Sequence, residues 1–302
     1  MTSFFKGEEY MQQQKSFKEN DTGKLYLVPT PIGNLEDMTF RSIKTLQEVD
    51  VIASEDTRNT QKLLNHFDIK TKQMSFHEHN YKERIPELIE MITSGMSIAQ
   101  VSDAGMPSIS DPGHELVVSM REVGLPVVSL PGATAGVTAL IASGLQPQPF
   151  YFYGFLGRKK SEQVKELEQM KHLSSTLIFY ESPYRIGKTL KVMEEVLGSE
   201  REVVVCRELT KIHEEYTKGT ITEMIAFYDD ATVKGECCLL VSGFTGEVPV
   251  EGEVEWAHLS ILEHVTYEMT EMGLNKKDAI KKVAKVRDLK KQDVYKVVHT
   301  DA

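Results

Sequence analysis

The strongest constraint in this sequence is a repeating cycle. From Lys24 onward, short apolar runs alternate with stretches whose apolar residues recur at helical spacing, and a loop rich in Gly, Pro or acidic residues cuts off each run. Leu25-Tyr26-Leu27-Val28 stops at Pro29-Thr30-Pro31-Ile32-Gly33-Asn34, after which Ile43, Leu46 and Val49 keep a helical period. The cycle continues with strands expected over 51–53, 73–76, 97–101 and 127–130, and helices over 57–66, 83–93, 114–123 and 135–143. Strands alternating with helices imply an α/β fold with a largely parallel sheet, covered on both faces.

Gln146-Pro147-Gln148-Pro149 suppresses both helix and central strand and reads as a domain boundary. Beyond it the spacing predicts strands over 150–153, 176–180 and 202–206 with helices over 161–172 and 186–197. Strands over 216–219 and 236–241 flank a short helix that Thr220 caps with Glu223 three residues on. This half admits antiparallel pairs. The expected division is a mobile polar arm or peripheral helix (1–22), two α/β domains (23–146 and 147–243), an acidic linker (244–255) and a small helix-turn-helix-like unit (256–302). That last unit contains helices over 256–269, 276–286 and 290–298. Its stretch from Asn275 carries nine Lys and Arg against four Asp, although the whole chain is at -10. A local basic surplus is either a solvated helix face or a nucleic-acid contact.

With 40% hydrophobic and 26% charged residues the composition is that of a soluble globular protein. No apolar run reaches membrane-spanning length, and the first twenty residues, with Glu8, Glu9 and Glu19, have neither a basic nor an apolar leader segment, so a cytoplasmic protein without a membrane partner is expected. Cys206, Cys237 and Cys238 sit in apolar runs without metal-ligand spacing and read as buried small hydrophobes. No G-x-G occurs, which removes the dinucleotide fingerprint. Ile186-Gly187-Lys188-Thr189 opens a helix as a phosphate loop would, but Ser182 stands where such a loop needs glycine, and Pro183, Tyr184 and Arg185 are too bulky to wrap a phosphate. His77-Glu78-His79 has no third ligand at metal spacing, so no metal is expected.

Polar loops at strand ends remain as the signal. The most distinctive is Val101 to Gly113, where an apolar run ends at Asp103 and Gly105, Pro107, Pro112 and Gly113 hold a loop. Asp103 either caps backbone amides or lines a pocket beyond the strand ends. Two α/β halves closing their strand ends on one cleft would make a small-molecule site.

The runs V-P-T-P-I-G-N-L-E-D (28–37), A-S-E-D-T-R (53–58), H-E-H-N (77–80), S-D-A-G-M-P-S-I-S-D-P-G (102–113), P-G-A-T-A (131–135), G-F-L-G-R-K (154–159), E-S-P-Y-R-I (181–186) and C-R-E-L-T-K (206–211) resemble the ribosomal RNA small subunit methyltransferase I family, enzymes of tetrapyrrole-methylase fold. G-L-N-K-K-D-A and V-Y-K-V extend the resemblance to the tail. Met106, Ser108 and Gly157 depart from the family's usual residues. The resemblance implies methyl transfer from S-adenosylmethionine to the ribose 2'-oxygen of a cytidine in the decoding region of small-subunit (16S) rRNA. It also implies a homodimer acting on that rRNA or on the 30S subunit. Carried over by motif, Gly33, Asn34, Asp103, Gly105, Pro107, Ala133 and Thr134 line the cofactor from the first domain, and Tyr180 and Arg207 from the second.

Methyl transfer turns a cationic sulfonium into a neutral thioether, so a carboxylate held against the sulfur would favour the ground state. Asp103 is therefore expected at the cofactor's ammonium or ribose end. If a general base is used, Glu55 or Asp56 supplies it, with Arg58 on a phosphate; helix capping is the equal alternative for either carboxylate. Arg158, Lys159 and Lys160, with Lys276, Lys277 and Lys281 of the tail, are the expected RNA contacts. The rival readings are a porphyrinoid methyltransferase of the same fold and a non-catalytic RNA-binding protein.

Overall fold

The computed structural model describes residues 12–17, 21–229, 234–246, 259–270, 272–287 and 289–300. Most of the expected arm and linker lies outside them. The first sheet contains β1 (Leu25–Leu27), β2 (Val51–Ser54), β3 (Lys72–Ser75), β4 (Ile98–Val101) and β5 (Val127–Ser129), in the order β3-β2-β4-β1-β5. Every pairing is parallel. The reason is in the strands: β2 and β4 are buried at all four positions, so each must be covered on both sides. Alternation divides them between two cores. Ile52, Ala99 and Val101 pack with Leu46 and Leu63 on one face, whereas Ala53 and Ile98 meet Leu88, Leu116 and Met120 on the other. The covering helices are α1 (Phe40–Glu48), α2 (Thr57–His66), α3 (Tyr81–Thr93) and α4 (Gly113–Glu122).

β5 is an edge strand, and the arm reaches it. Gln14 donates from Nε2 to the Val127 carbonyl and accepts from the Val127 N–H at Oε1, both at 2.9 Å, so its amide takes the place of a neighbouring strand.

Helix α5 (Ala135–Ser143) precedes the proline run, yet it packs on the second sheet: Ala139 and Leu140 sit among Ile178, Val204, Cys206, Cys238 and Leu240. The composition of α5 explains this, because the buried Gly136 lets the Phe152 ring approach within 3.1 Å of where a Cβ would stand. The second sheet contains β6 (Phe150–Phe155), β7 (Thr176–Glu181), β8 (Glu202–Arg207), β9 (Glu215–Thr220) and β10 (Cys237–Val241), in the order β6-β7-β10-β8-β9. Only β6 and β7 pair in parallel; the other pairs are antiparallel. Its other face is covered by α6 (Lys160–Met170), α7 (Ile186–Leu197) and α8 (Ile221–Tyr228), the last held by a Thr220–Glu223 capping box. The adjacent cysteines of β10 face opposite ways, Cys237 into one core and Cys238 into the other.

Residues 1–244 and 245–302 are separate compact units. In the second, α9 (Ile261–Thr270), α10 (Lys276–Val286) and α11 (Lys291–Thr300) bury Val265, Ile280, Val283, Val294 and Val298 together. The periodicity predicts a helix from 256, of which 256–258 lie outside the described residues, and within them α9 begins at Ile261. Ser260 accepts from the Glu263 N–H and Glu263 accepts from the Ser260 N–H, which fixes the start there. Among the described residues no helix is long and apolar enough to cross a membrane.

Candidate functional site

The loop after β4 is built around two side chains that the sequence does not single out. Asp111 accepts from the Ser108 N–H at 2.8 Å, the Gly113 N–H at 2.8 Å and Gln100 Nε2 at 3.0 Å. Gln100, 2% exposed inside β4, accepts in turn from Ser108 Oγ at 3.1 Å. These bonds hold Ser108 at a φ of 69°, a left-handed conformation that is uncommon for a residue other than glycine. Gly105, at a φ of 78°, exchanges backbone hydrogen bonds with Thr30 of the loop after β1. A Cβ there would lie 3.2 Å from both the Ala133 carbonyl oxygen and Ile32 Cγ2, so three loops meet at a point that needs glycine.

Beside it, the loops after β2 and β4 exchange hydrogen bonds between carboxylates and amides. Glu55 Oε2 accepts from the Asp103 N–H at 3.1 Å, and Asp103 accepts from the Asp56 N–H at 3.2 Å and Asn59 Nδ2 at 3.1 Å. Burial raises the Glu55 carboxyl above its ordinary range, and the negative charges of Asp103, Asp111 and Asp56 push the same way against the Asp103 amide. Asp56 behaves oppositely. It caps α2 and binds the Arg58 guanidinium with both oxygens, which brings its carboxyl down to about 2. Asp56 thus takes the capping alternative, and Arg58 is paired with it.

On the second sheet, Tyr180 stands between the Phe152 and Phe155 rings, at 5.1 and 5.5 Å between centroids, and its hydroxyl accepts from the Gly136 N–H at the start of α5. Burial raises its phenol. A bulge between Phe152 and Gly154 makes this setting possible, because it brings Phe150, Phe152 and Phe155 opposite Thr176, Ile178 and Tyr180 on one face. The buried Glu181 is held by Ser182 N–H at 2.7 Å, by Thr189 Oγ1 at 2.6 Å and by an ion pair with Arg185 at 3.3 Å. Thr189 of the phosphate-loop-like run is therefore committed to Glu181.

These pieces enclose a cavity of about 620 Å³ at the carboxyl ends of the first sheet's strands and against the inner face of the second. Its apolar wall includes Ile32, Met106, Phe152, Ile178 and Leu209. The three cysteines also line it; burial pushes Cys206 up to about 12 and Cys237 up to about 11, so they contribute as neutral thiols. Among the described residues four carboxylates line the cavity, Glu55, Asp111, Glu181 and Glu236, and no Lys, Arg or His does. Arg185 offsets Glu181 and Lys211 offsets Glu236, leaving Glu55 and Asp111 without a cationic partner among the described residues.

Of the residues expected around the cofactor, Gly105, Thr134 and Tyr180 line this cavity. Pro107 is buried outside its lining, and Ala133 offers its carbonyl to the packing beneath Gly105. Asn34 caps the short 3-10 turn Leu35–Asp37, and Arg207 is bound to Glu215 at 2.6 Å. Gly33 and Asp103 lie instead on a smaller recess. Asp103 is drawn there by the two donors at the start of α2, and the acidic wall residue of the loop is Asp111. The repeated acid in S-D-A-G-M-P-S-I-S-D-P-G was a signal for this, but spacing alone does not tell which of two loop carboxylates turns inward.

Among the expected RNA contacts, Arg158 is exposed and has no partner among the described residues, whereas Lys159 pairs with Glu162 and Lys160 with Glu195. Lys276, Lys277 and Lys281 are exposed on α10. With Lys285, Lys277 and Lys281 form an i,i+4 stripe opposite the buried Ala279, Ile280 and Val283.

The profile of the Tetrapyrrole (Corrin/Porphyrin) Methylases matches residues 24–225. The Ribosomal RNA small subunit methyltransferase I of Streptococcus pyogenes serotype M18 is 53% identical over 96% of this chain and 99% of its own length, and that of Bacillus subtilis 51% identical over 96% and 99%. Among solved structures, the methyltransferase CobJ superposes with a TM-score of 0.57 at 17% identity, over 75% of this chain and 97% of that one. A uroporphyrin-III C-methyltransferase from Thermus thermophilus, complexed with S-adenosylhomocysteine, does so at 0.52 and 19%, over 73% and 97%. The two-sheet frame and the near full-length identity agree: the chain belongs to the ribosomal RNA small subunit methyltransferase I family, within the tetrapyrrole methylases.

Proposed function

We propose that this protein transfers the methyl group of S-adenosylmethionine to the ribose 2'-oxygen of a cytidine in the decoding region of 16S rRNA, acting as a homodimer on the rRNA or the 30S subunit. The observation that carries the reading is the charge of the large cavity. A wall on which Glu55 and Asp111 have no cationic partner, and which no cation lines among the described residues, suits a ligand bearing a sulfonium and an ammonium, and opposes one bearing phosphates. Its volume lies within the roughly 300–1,000 Å³ usual for small-molecule sites. The relatives' names point to rRNA, and the Thermus thermophilus structure to a product of the same cofactor.

The bound cofactor supplies an electrophilic methyl group on a positively charged sulfur. Phe152, Ile178 and Leu209 offer apolar surface to its adenosine, Gly105 allows close backbone approach, and Thr134 and Tyr180 give polar contacts at the start of α5. Asp111 is placed to attract the ammonium end; its three intramolecular bonds leave acceptor capacity on Oδ2. Glu55 is the general-base candidate. One oxygen holds the Asp103 amide and the other is open, and its raised pKa brings it closer to the hydroxyl proton it would accept. The exposed Arg158 and the α10 stripe would bind phosphates. Transfer of label from S-adenosylmethionine to 30S subunits, run beside a corrin precursor, tests the reading: label in the RNA alone is expected, and label in the corrin alone or in neither refutes it.

A further inference from the structure

A second recess, of about 210 Å³, lies at the ends of β1 and β4 against α2 and is lined by Thr30, Gly33, Asn59, Lys62, Ser102 and Asp103 among others. Ser102 lines the large cavity as well, so the two abut at the end of β4. We infer that this recess is the acceptor subsite, which takes a single ribonucleotide of the RNA chain with Lys62 on its phosphate and Asp103 and Asn59 on its hydroxyl or amino donors. The inference rests on the RNA-methylation reading and places the substrate of that reaction.

Three features of the recess support it. Lys62 is exposed and meets no carboxylate partner among the described residues, although the neighbouring loops carry Glu55, Asp56 and Asp103. Inside, Asp103 has given two of its roughly four acceptor positions to Asp56 N–H and Asn59 Nδ2. Asn59 Oδ1 accepts nothing among the described residues. One cation at the rim and two acceptors within complement a phosphate joined to hydroxyl or amino donors, which describes a nucleotide. A porphyrinoid bearing several carboxylates would meet one cation and a fixed carboxylate, and would be repelled. Size gives the same answer: the recess falls below the roughly 300–1,000 Å³ of larger ligand sites, so it suits the sugar or base of one ribonucleotide, with the phosphate left at the rim beside Lys62. The position beside the cofactor cavity gives the acceptor hydroxyl a short path to the methyl group, and Glu55, on the wall of that cavity, is hydrogen-bonded to the amide of Asp103, which lines the recess. Asp103 then serves as a positioning residue for the acceptor.

The test uses the full-length protein and the variants Lys62→Glu, Lys62→Arg and Asn59→Ala. Lys62→Glu is expected to raise KM for 30S subunits about tenfold or more, since it removes a charge-assisted hydrogen bond to phosphate. It should also reduce the slope of log RNA affinity against log salt by about 0.7, the share of one phosphate on a single strand. Affinity for S-adenosylmethionine, measured by calorimetry, stays within twofold of wild type, and Lys62→Arg restores KM. Unchanged KM in both Lys62→Glu and Asn59→Ala overturns the subsite, as does a parallel loss of cofactor affinity. Ligand-observed NMR with cytidine 5'-monophosphate separates this inference from the reaction. If wild type methylates no RNA but binds the nucleotide in a Lys62-dependent way, the subsite stands and the methylation reading falls. Nucleotide binding that Lys62→Glu does not alter removes the subsite itself.

Discussion

Glu55 and Gly105 are the residues on which the chemistry of the large cavity turns. The folded protein raises the Glu55 pKa, so it binds that proton more tightly than the unfolded chain does. Its contribution to stability is therefore full below the unfolded pKa near 4.5 and is lost as pH rises through the higher folded value. Ionising the carboxyl works against its burial and against its acidic neighbours Asp103, Asp111 and Asp56. Glu55→Gln, whose amide oxygen can still accept from Asp103, should leave Tm unchanged or raised while the single-turnover methyl-transfer rate falls. The acid limb of the wild-type kcat/KM profile, displaced upward from 4.5, should vanish with it. A lowered Tm at an unchanged rate would assign Glu55 a structural role. Gly105→Ala tests the backbone: a left-handed alanine costs about 1–2 kcal/mol, and its Cβ meets Ala133 and Ile32 at 3.2 Å. Thermal unfolding should show that loss, and calorimetry a weaker cofactor affinity. Gly105 was legible in the sequence because a glycine between a strand end and a proline signals a backbone that must turn or be approached closely. The direction of Asp103 was not, since it depends on Asn59 and the Asp56 amide arriving from another strand end.

Among the elements, the loop after β4 owes its shape to Asp111. Asp111→Ala would remove the partner of Ser108 N–H, Gly113 N–H and the buried Gln100 amide, and a buried polar group left unpaired costs about 1–3 kcal/mol. Denaturant unfolding should show a loss of that size together with weakened cofactor binding; unaltered cofactor affinity would mean that the loop is held without it. The parallel first sheet was readable because its strands are short apolar runs separated by helical periods. The bulge in β6 was not: F-Y-F-Y-G-F alternates as an ordinary strand, and only the pairing with β7 shows that Tyr153 is the extra residue that brings Phe155 beside Tyr180. Nor does periodicity reveal that α5 packs on the second sheet. Its residues are small and apolar all round, so no face announces its partner.

For the whole molecule, charge divides the labour. The chain carries -10, yet α10 presents Lys277, Lys281 and Lys285 along one exposed face. Each compact unit has its own buried core, so removing residues 245–302 should leave S-adenosylmethionine affinity within about twofold while RNA affinity falls and its salt dependence flattens by about 0.7 for each phosphate no longer neutralised. Equal loss of both affinities would make the helical unit a structural support. The central claim concerns the atom that receives the methyl group. Small-subunit rRNA methylated by this protein with labelled S-adenosylmethionine should be digested completely to nucleosides and separated. All label in 2'-O-methylcytidine is the predicted result; label on a base, or on the ribose of another nucleoside, would contradict it.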